Sequence, residues 1–293
     1  MTRDHLLLAA GITALTAVSF FRFPGHTILQ SDTQIYIPIL EHLWDPAVLA
    51  NDPMASRPHV VYTTYDEVAL VLRKVTGLGF EPLLSAQQFV YRALAILGLW
   101  LIGRAAGLSC ALALVAAAIP MLGAVVSGPA VLTVEYEPVP RGFALSFILL
   151  SIGAAATNHW RSASAAASIA FLFHPPTAFF YCWLLAAVAF RQRRYRDLLP
   201  FVVCAVFFLI LVFVPERPPE GQEIFTRIDP ALEALQRPRA AYNWVSMWLS
   251  KWVGQYLALA GFCALVLWRL WRELPPTLRV LFAGLAAGGL LSI

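Results

Sequence analysis

Long apolar runs separated by short polar breaks occupy most of this chain, and they set its predicted elements. Leu6–Phe21, flanked by Arg3 and Arg22, is the first run. Others lie at about 83–103, 108–126, 142–158, 198–214 and 247–268, and a last one covers 280–293. A bilayer-crossing helix needs roughly 20 mostly apolar residues. In lipid every backbone amide must be satisfied within its segment, which leaves helices or closed barrels. Ala111–Val126 and Phe201–Val214 are apolar throughout instead of alternating, so helices are expected. Ser162–Phe190 is broken by His174-Pro175-Pro176. It reads as one span, about 43 Å long at 1.5 Å per residue, or as a broken hairpin.

Charge arbitrates in favour of the hairpin. Arg191, Arg193, Arg194 and Arg196 form the densest basic cluster, and short basic loops prefer the cytoplasm. If Arg104 and Arg161 share that side, two passes must separate Arg161 from Arg191. The expectation is an all-α polytopic membrane bundle of about eight or nine hydrophobic segments in one transmembrane domain over 1–293. Its N-terminus is cytoplasmic and it sits in the cell inner membrane. External loops fall at about 26–85, 127–141 and 215–246. Leu6–Phe21 also carries a small-residue pattern, Ala17-Val18-Ser19, that a cleaved signal peptide would share. The run at 280–293 is short for a span, as the cut end of a longer protein would be. Within the first loop, Ile35–Trp44 and Val68–Val75 read as amphipathic helices, lying on the membrane or packing on the protein.

Composition strengthens this picture. Hydrophobic residues make up 59% and charged residues 13%, against about a quarter charged in ordinary globular domains. The net charge of +4 forms no continuous basic stripe, so nucleic acid is not an expected partner. Cys110, Cys182, Cys204 and Cys263 lie inside apolar runs without metal or redox spacing and read as packing residues. Phosphate-cradling loops, HExxH and GxSxG are absent, which argues against ATP hydrolysis, zinc proteolysis and serine hydrolysis.

Asp32, in Ser31-Asp32-Thr33-Gln34, is the first candidate for chemistry. A partly shielded carboxylate could act as a general base, and the same position suits a helix N-cap. His174, at a proline break in an apolar stretch, should be paired or line a cavity. Arg22, Arg92 and Arg141 could hold a phosphate through the guanidinium fork, or lie against apolar surface with only their heads in water. Glu135 and Glu137, and the adjacent pair Asp66-Glu67, complete the set.

Asp32-Thr33-Gln34-Ile35-Tyr36, with Asp45-Pro46 and Asn51-Asp52-Pro53 downstream, resembles the first outer loop of the GT-C superfamily of membrane glycosyltransferases. Arg141-Gly142-Phe143-Ala144-Leu145 and Phe171-Leu172-Phe173-His174-Pro175 are similar to the same group. The resemblance implies sugar transfer from a polyprenyl-phosphate donor to an acceptor at the outer membrane face. Asp32 would be the catalytic base, and Arg141 or Arg92 would offset the phosphate charge. His174, Glu135, Glu137, Asp66 and Glu67 would contact substrate. No cofactor follows from it, and a divalent metal is left open. The lipid bilayer and a lipid-linked sugar are the implied partners. Thr33 departs from the paired acids common in that loop. A transporter or flippase-like protein and a non-catalytic envelope-assembly subunit are the alternative readings.

Overall fold

The computed structural model describes residues 3–55, 63–123, 125–126, 131–213, 229–239, 241 and 244–291. Its helices are α1 (Arg3–Phe21), α2 (Thr33–Trp44), α3 (Tyr65–Thr76), α4 (Phe80–Ala105), α5 (Cys110–Met121), α6 (Pro140–Ala156), α7 (Trp160–Phe173), α8 (Pro175–Arg191), α9 (Leu199–Phe213), α10 (Pro230–Arg239), α11 (Ser250–Leu270) and α12 (Pro276–Leu291). A two-residue antiparallel pair, β1 (Val125–Val126) with β2 (Val131–Leu132), closes the turn between α5 and α6.

Local sequence explains many of the boundaries. Helix α3 carries Asp66 and Glu67 in its first turn and Arg73 and Lys74 in its last, matching the helix dipole, and Gly77 ends it at φ 72°. The Ser109 hydroxyl caps α5 by accepting the Leu112 N–H. Pro140 and Pro175 occupy the first positions of α6 and α8, where a missing N–H costs nothing. The apolar stretch 160–191 breaks at His174, between α7 and α8.

Helix α4 is the spine. It packs against α1, α5 and α6, while α6 packs on α7, and α7 on α8 and α9. The main core joins Leu40, Tyr65, Phe80, Phe143, Trp160 and Tyr181. Glycines let α4 and α6 cross at backbone contact: a Cβ on Gly98 would collide with the Leu149 backbone, and one on Gly153 would lie 2.5 Å from the Gly98 carbonyl oxygen.

This architecture corrects the expected polytopic bundle. Among the described residues three helices, α1, α4 and α11, are long and apolar enough to cross a membrane, where eight or nine segments were expected. The other apolar runs form shorter helices, 12 residues in α5 and 17 in α6. At 1.5 Å per residue these reach about 18–26 Å, short of a ~30 Å hydrocarbon core. Most of α6 is buried against protein. Helix α2 likewise packs Ile37 and Leu40 into the core instead of lying on a membrane. The GT-C resemblance, the multi-pass inner-membrane placement and the bilayer and lipid-linked sugar as partners all rested on that bundle, and they are withdrawn with it. The glycosyltransferase assignment goes too, as do the transporter, flippase and envelope-subunit readings. The outer loop expected at 215–246 falls largely outside the described residues, Arg217 and Arg227 included.

Candidate functional site

Two loops meet at one edge of the α4–α6 pair. One runs from Gly25 to Asp32 into α2, and the other from Thr133 to Val139 into α6. They are zipped by the Thr27 N–H, which donates to the Tyr136 carbonyl at 3.0 Å. Glu137 joins them more firmly. It is 5% exposed. Its Oε1 accepts the Gln30 and Ser31 N–H groups at 2.8 Å each, and its Oε2 accepts that of Thr33 at 2.9 Å. Burial alone would raise this carboxyl's pKa, but the N–H donors outweigh it and hold the pKa below the ordinary glutamate range.

Asp32 occupies the N-cap position of α2, yet its side chain makes no capping hydrogen bond. The carboxylate turns to Arg141, whose Nη1 donates to Oδ2 at 2.5 Å. The same guanidinium donates from Nε to Glu135 Oε1 at 2.5 Å. Arg141 therefore bridges two carboxylates contributed by different loops. Glycine at 142 makes room for this arrangement, because a Cβ there would stand 2.9 Å from that of Glu135. The Arg141 side chain is 47% exposed and that of Asp32 35%, so solvent reaches both. Burial disfavours the Arg141 charge, but Glu135 and Asp32 together raise its pKa.

A crevice of about 270 Å³ opens beside this bridge, walled by Thr27, Gln30, Ser31, Glu135, Tyr136 and Arg141. Away from the crevice, on the α2–α3 side, the Tyr36 and Tyr65 rings lie 5.4 Å apart, Tyr65 fully buried. The Tyr65 hydroxyl donates to the Pro138 carbonyl at 2.7 Å, fixing the second loop from below. Burial, then the charges of Asp32 and Asp66, raise the Tyr36 pKa. His174 lies within the field of Arg141. Burial and that positive charge both lower its pKa, so the neutral ring is favoured. Its Nδ1 accepts the Thr177 N–H at 3.3 Å and faces the Thr177 hydroxyl at 2.7 Å, which puts the ring proton on Nε2.

The structure thus brings Asp32, Glu135, Glu137 and Arg141 together, with His174 and Asp66 near enough to act electrostatically. Glu67 neighbours Asp66 in the first turn of α3. Arg92 is elsewhere: it is 3% exposed, beneath the loops and not facing the crevice. Arg22 is exposed just past the end of α1. Among the described residues no group of three or more His, Cys, Asp or Glu side chains could hold a metal ion. Sequence reasoning missed Tyr136, Gln30 and Gln88. Tyr136 sits between two singled-out acids, which was a usable signal; the glutamines carried none. No protein-family model, curated protein or solved structure matches the chain.

Proposed function

We propose that this chain binds a small polar cation, one carrying an ammonium or guanidinium group, in the crevice beside Arg141. The observation that carries the reading is the Asp32–Arg141–Glu135 bridge, two carboxylates sharing one half-exposed guanidinium at the crevice wall. Glu137 is committed to backbone N–H groups. An anion entering here would face a carboxylate excess, while a cation would find carboxylates and the hydroxyls of Thr27, Ser31 and Tyr136. Arg141 occupies the position a ligand cation would take and acts as an internal competitor.

Calorimetric titration with putrescine, methylguanidinium, a neutral polyol and inorganic phosphate tests this. The two cations should bind, and Asp32→Asn should weaken them. Arg141→Ala should tighten them by about three- to tenfold, since part-exposed ion pairs contribute at most about 1 kcal/mol each. Phosphate binding that disappears in Arg141→Ala would show that Arg141 anchors an anion. That result, or no cation binding at all, overturns the reading.

A further inference from the structure

Beneath the crevice, Gln88 and Arg92 stand one turn apart on α4, and each touches both loops. Arg92 Nη2 donates to the Gly25 carbonyl at 2.7 Å and to the Glu135 carbonyl at 2.8 Å. Its Nη1 donates to the Ser19 carbonyl at 2.6 Å, and the guanidinium lies 5.5 Å from the Phe20 ring centroid. Gln88 Nε2 donates to the same Glu135 carbonyl at 3.0 Å, while its Oε1 faces His26 Nδ1 at 2.8 Å. His26 Nε2 in turn faces the Ser85 hydroxyl at 3.1 Å. Gly25 and His26 lead directly into one crevice wall, which starts at Thr27, and Glu135 is part of the other.

A buried guanidinium held by carbonyl groups is an expensive way to fill space, and well-packed apolar side chains often stabilise as much or more. The guanidinium fork supplies what an apolar side chain lacks, several donors at fixed angles in one plane. Paired with a glutamine one turn earlier, it fixes two unconnected backbone segments relative to one rigid helix.

We infer that Arg92 and Gln88 are positioning residues that set the separation of the crevice walls from inside, without touching ligand. The affinity part of this inference rests on the cation-binding reading; the spacing part does not. Arg92→Lys keeps the charge but cannot reach both the Gly25 and Glu135 carbonyls in the planar, two-pronged geometry. Amide exchange in the ligand-free protein reads the spacing directly. Thr27, Gln30 and Ser31 donate their N–H groups across the gap. Their exchange should rise about tenfold in Arg92→Lys while amides within α4 and α6 keep their protection. Putrescine affinity should fall about tenfold, with the preference shifting among diamines of different length. Should Arg92→Lys not fold, Gln88→Met gives the same readout, since it removes one bond to each wall.

Unchanged exchange at the three amides overturns the inference, and so does a uniform rise through α4 and α6, which would mark plain structural damage. If the unaltered protein binds no cation, the binding reading fails and the exchange measurement still judges the spacing role.

Discussion

Glu137 shows how much one side chain can organise. Its carboxylate gathers three backbone N–H groups, two from the turn that leads into α2 and one, the buried Thr33 N–H, from its first residue. Glu137→Ala removes all three bonds and orphans the Thr33 N–H, and the expected loss is about 3 kcal/mol, since hydrogen bonds to charged groups are worth roughly 1.5–3 kcal/mol each. Because its folded-state pKa lies below the ordinary value, the ionised form stabilises the fold. That contribution is complete above about pH 5 and disappears as pH falls through the folded-state pKa. Denaturant unfolding between pH 3 and 6 should show this acid limb, and Glu137→Gln should flatten it. Such a role was only half legible in the sequence. Glu135, Glu137, Arg141 and Asp32 stood out as polar residues among apolar ones, but 109 positions separate Asp32 from Arg141. No local spacing announces a partner so far away, so the pairing of Arg141 with Asp32 was not legible in the sequence.

Elements were easier to place than to interpret. The run expected at 142–158 forms α6 over Pro140–Ala156, and the proline break at 174–176 divides α7 from α8. Apolarity reports that side chains leave water, not where they go. Phe143, Phe147 and Ile152 go into the protein core, so counting runs overcounted membrane-length helices. Glycine positions on these elements predict opposite outcomes. Gly98→Ala should cost about 2 kcal/mol or more, because the added methyl meets the rigid backbone of α6 and the helices must part. Gly254→Ala and Gly261→Ala on α11 meet open space and should be neutral or stabilising by up to ~1 kcal/mol through helix propensity. Thermal unfolding of the three variants distinguishes the signs. At the start of α8, neutral His174 supplies the cap, and protonating Nδ1 removes the acceptor. With its pKa lowered in the fold, the neutral ring's contribution to stability is complete above the ordinary value of 6.5 and is lost as pH falls from there through the lowered folded-state pKa, where the cap itself breaks. His174→Asn should keep the cap and remove that pH dependence, whereas His174→Ala should lose about 1 kcal/mol at neutral pH.

For the whole molecule, the question is where the surplus of apolar residues ends up. The cores around α4, α6 and α7 take part of it. The remainder lies outside: α11 buries none of its residues, and Leu257, Phe262 and Trp268 are exposed. Val202, Val203, Val206 and Leu209 of α9 are exposed as well. A typical monomer's largest apolar patch is about 300–600 Å², and both α9 and α11 present rows of exposed large apolar side chains. The apolar excess was therefore plain in the composition, while its division between core and surface depended on long-range packing that no single run records. Such a surface requires an apolar cover in water, from an amphiphile or from a second copy of the chain. Light scattering should find the purified protein associated in plain buffer and monodisperse once a mild detergent is added. Replacing Leu257, Phe262 and Trp268 with serine should reduce that dependence and leave the crevice titrations unchanged, because α11 contributes none of the residues named at the crevice. A monodisperse monomer in plain buffer would mean that the exposed faces of α9 and α11 are covered by the chain itself.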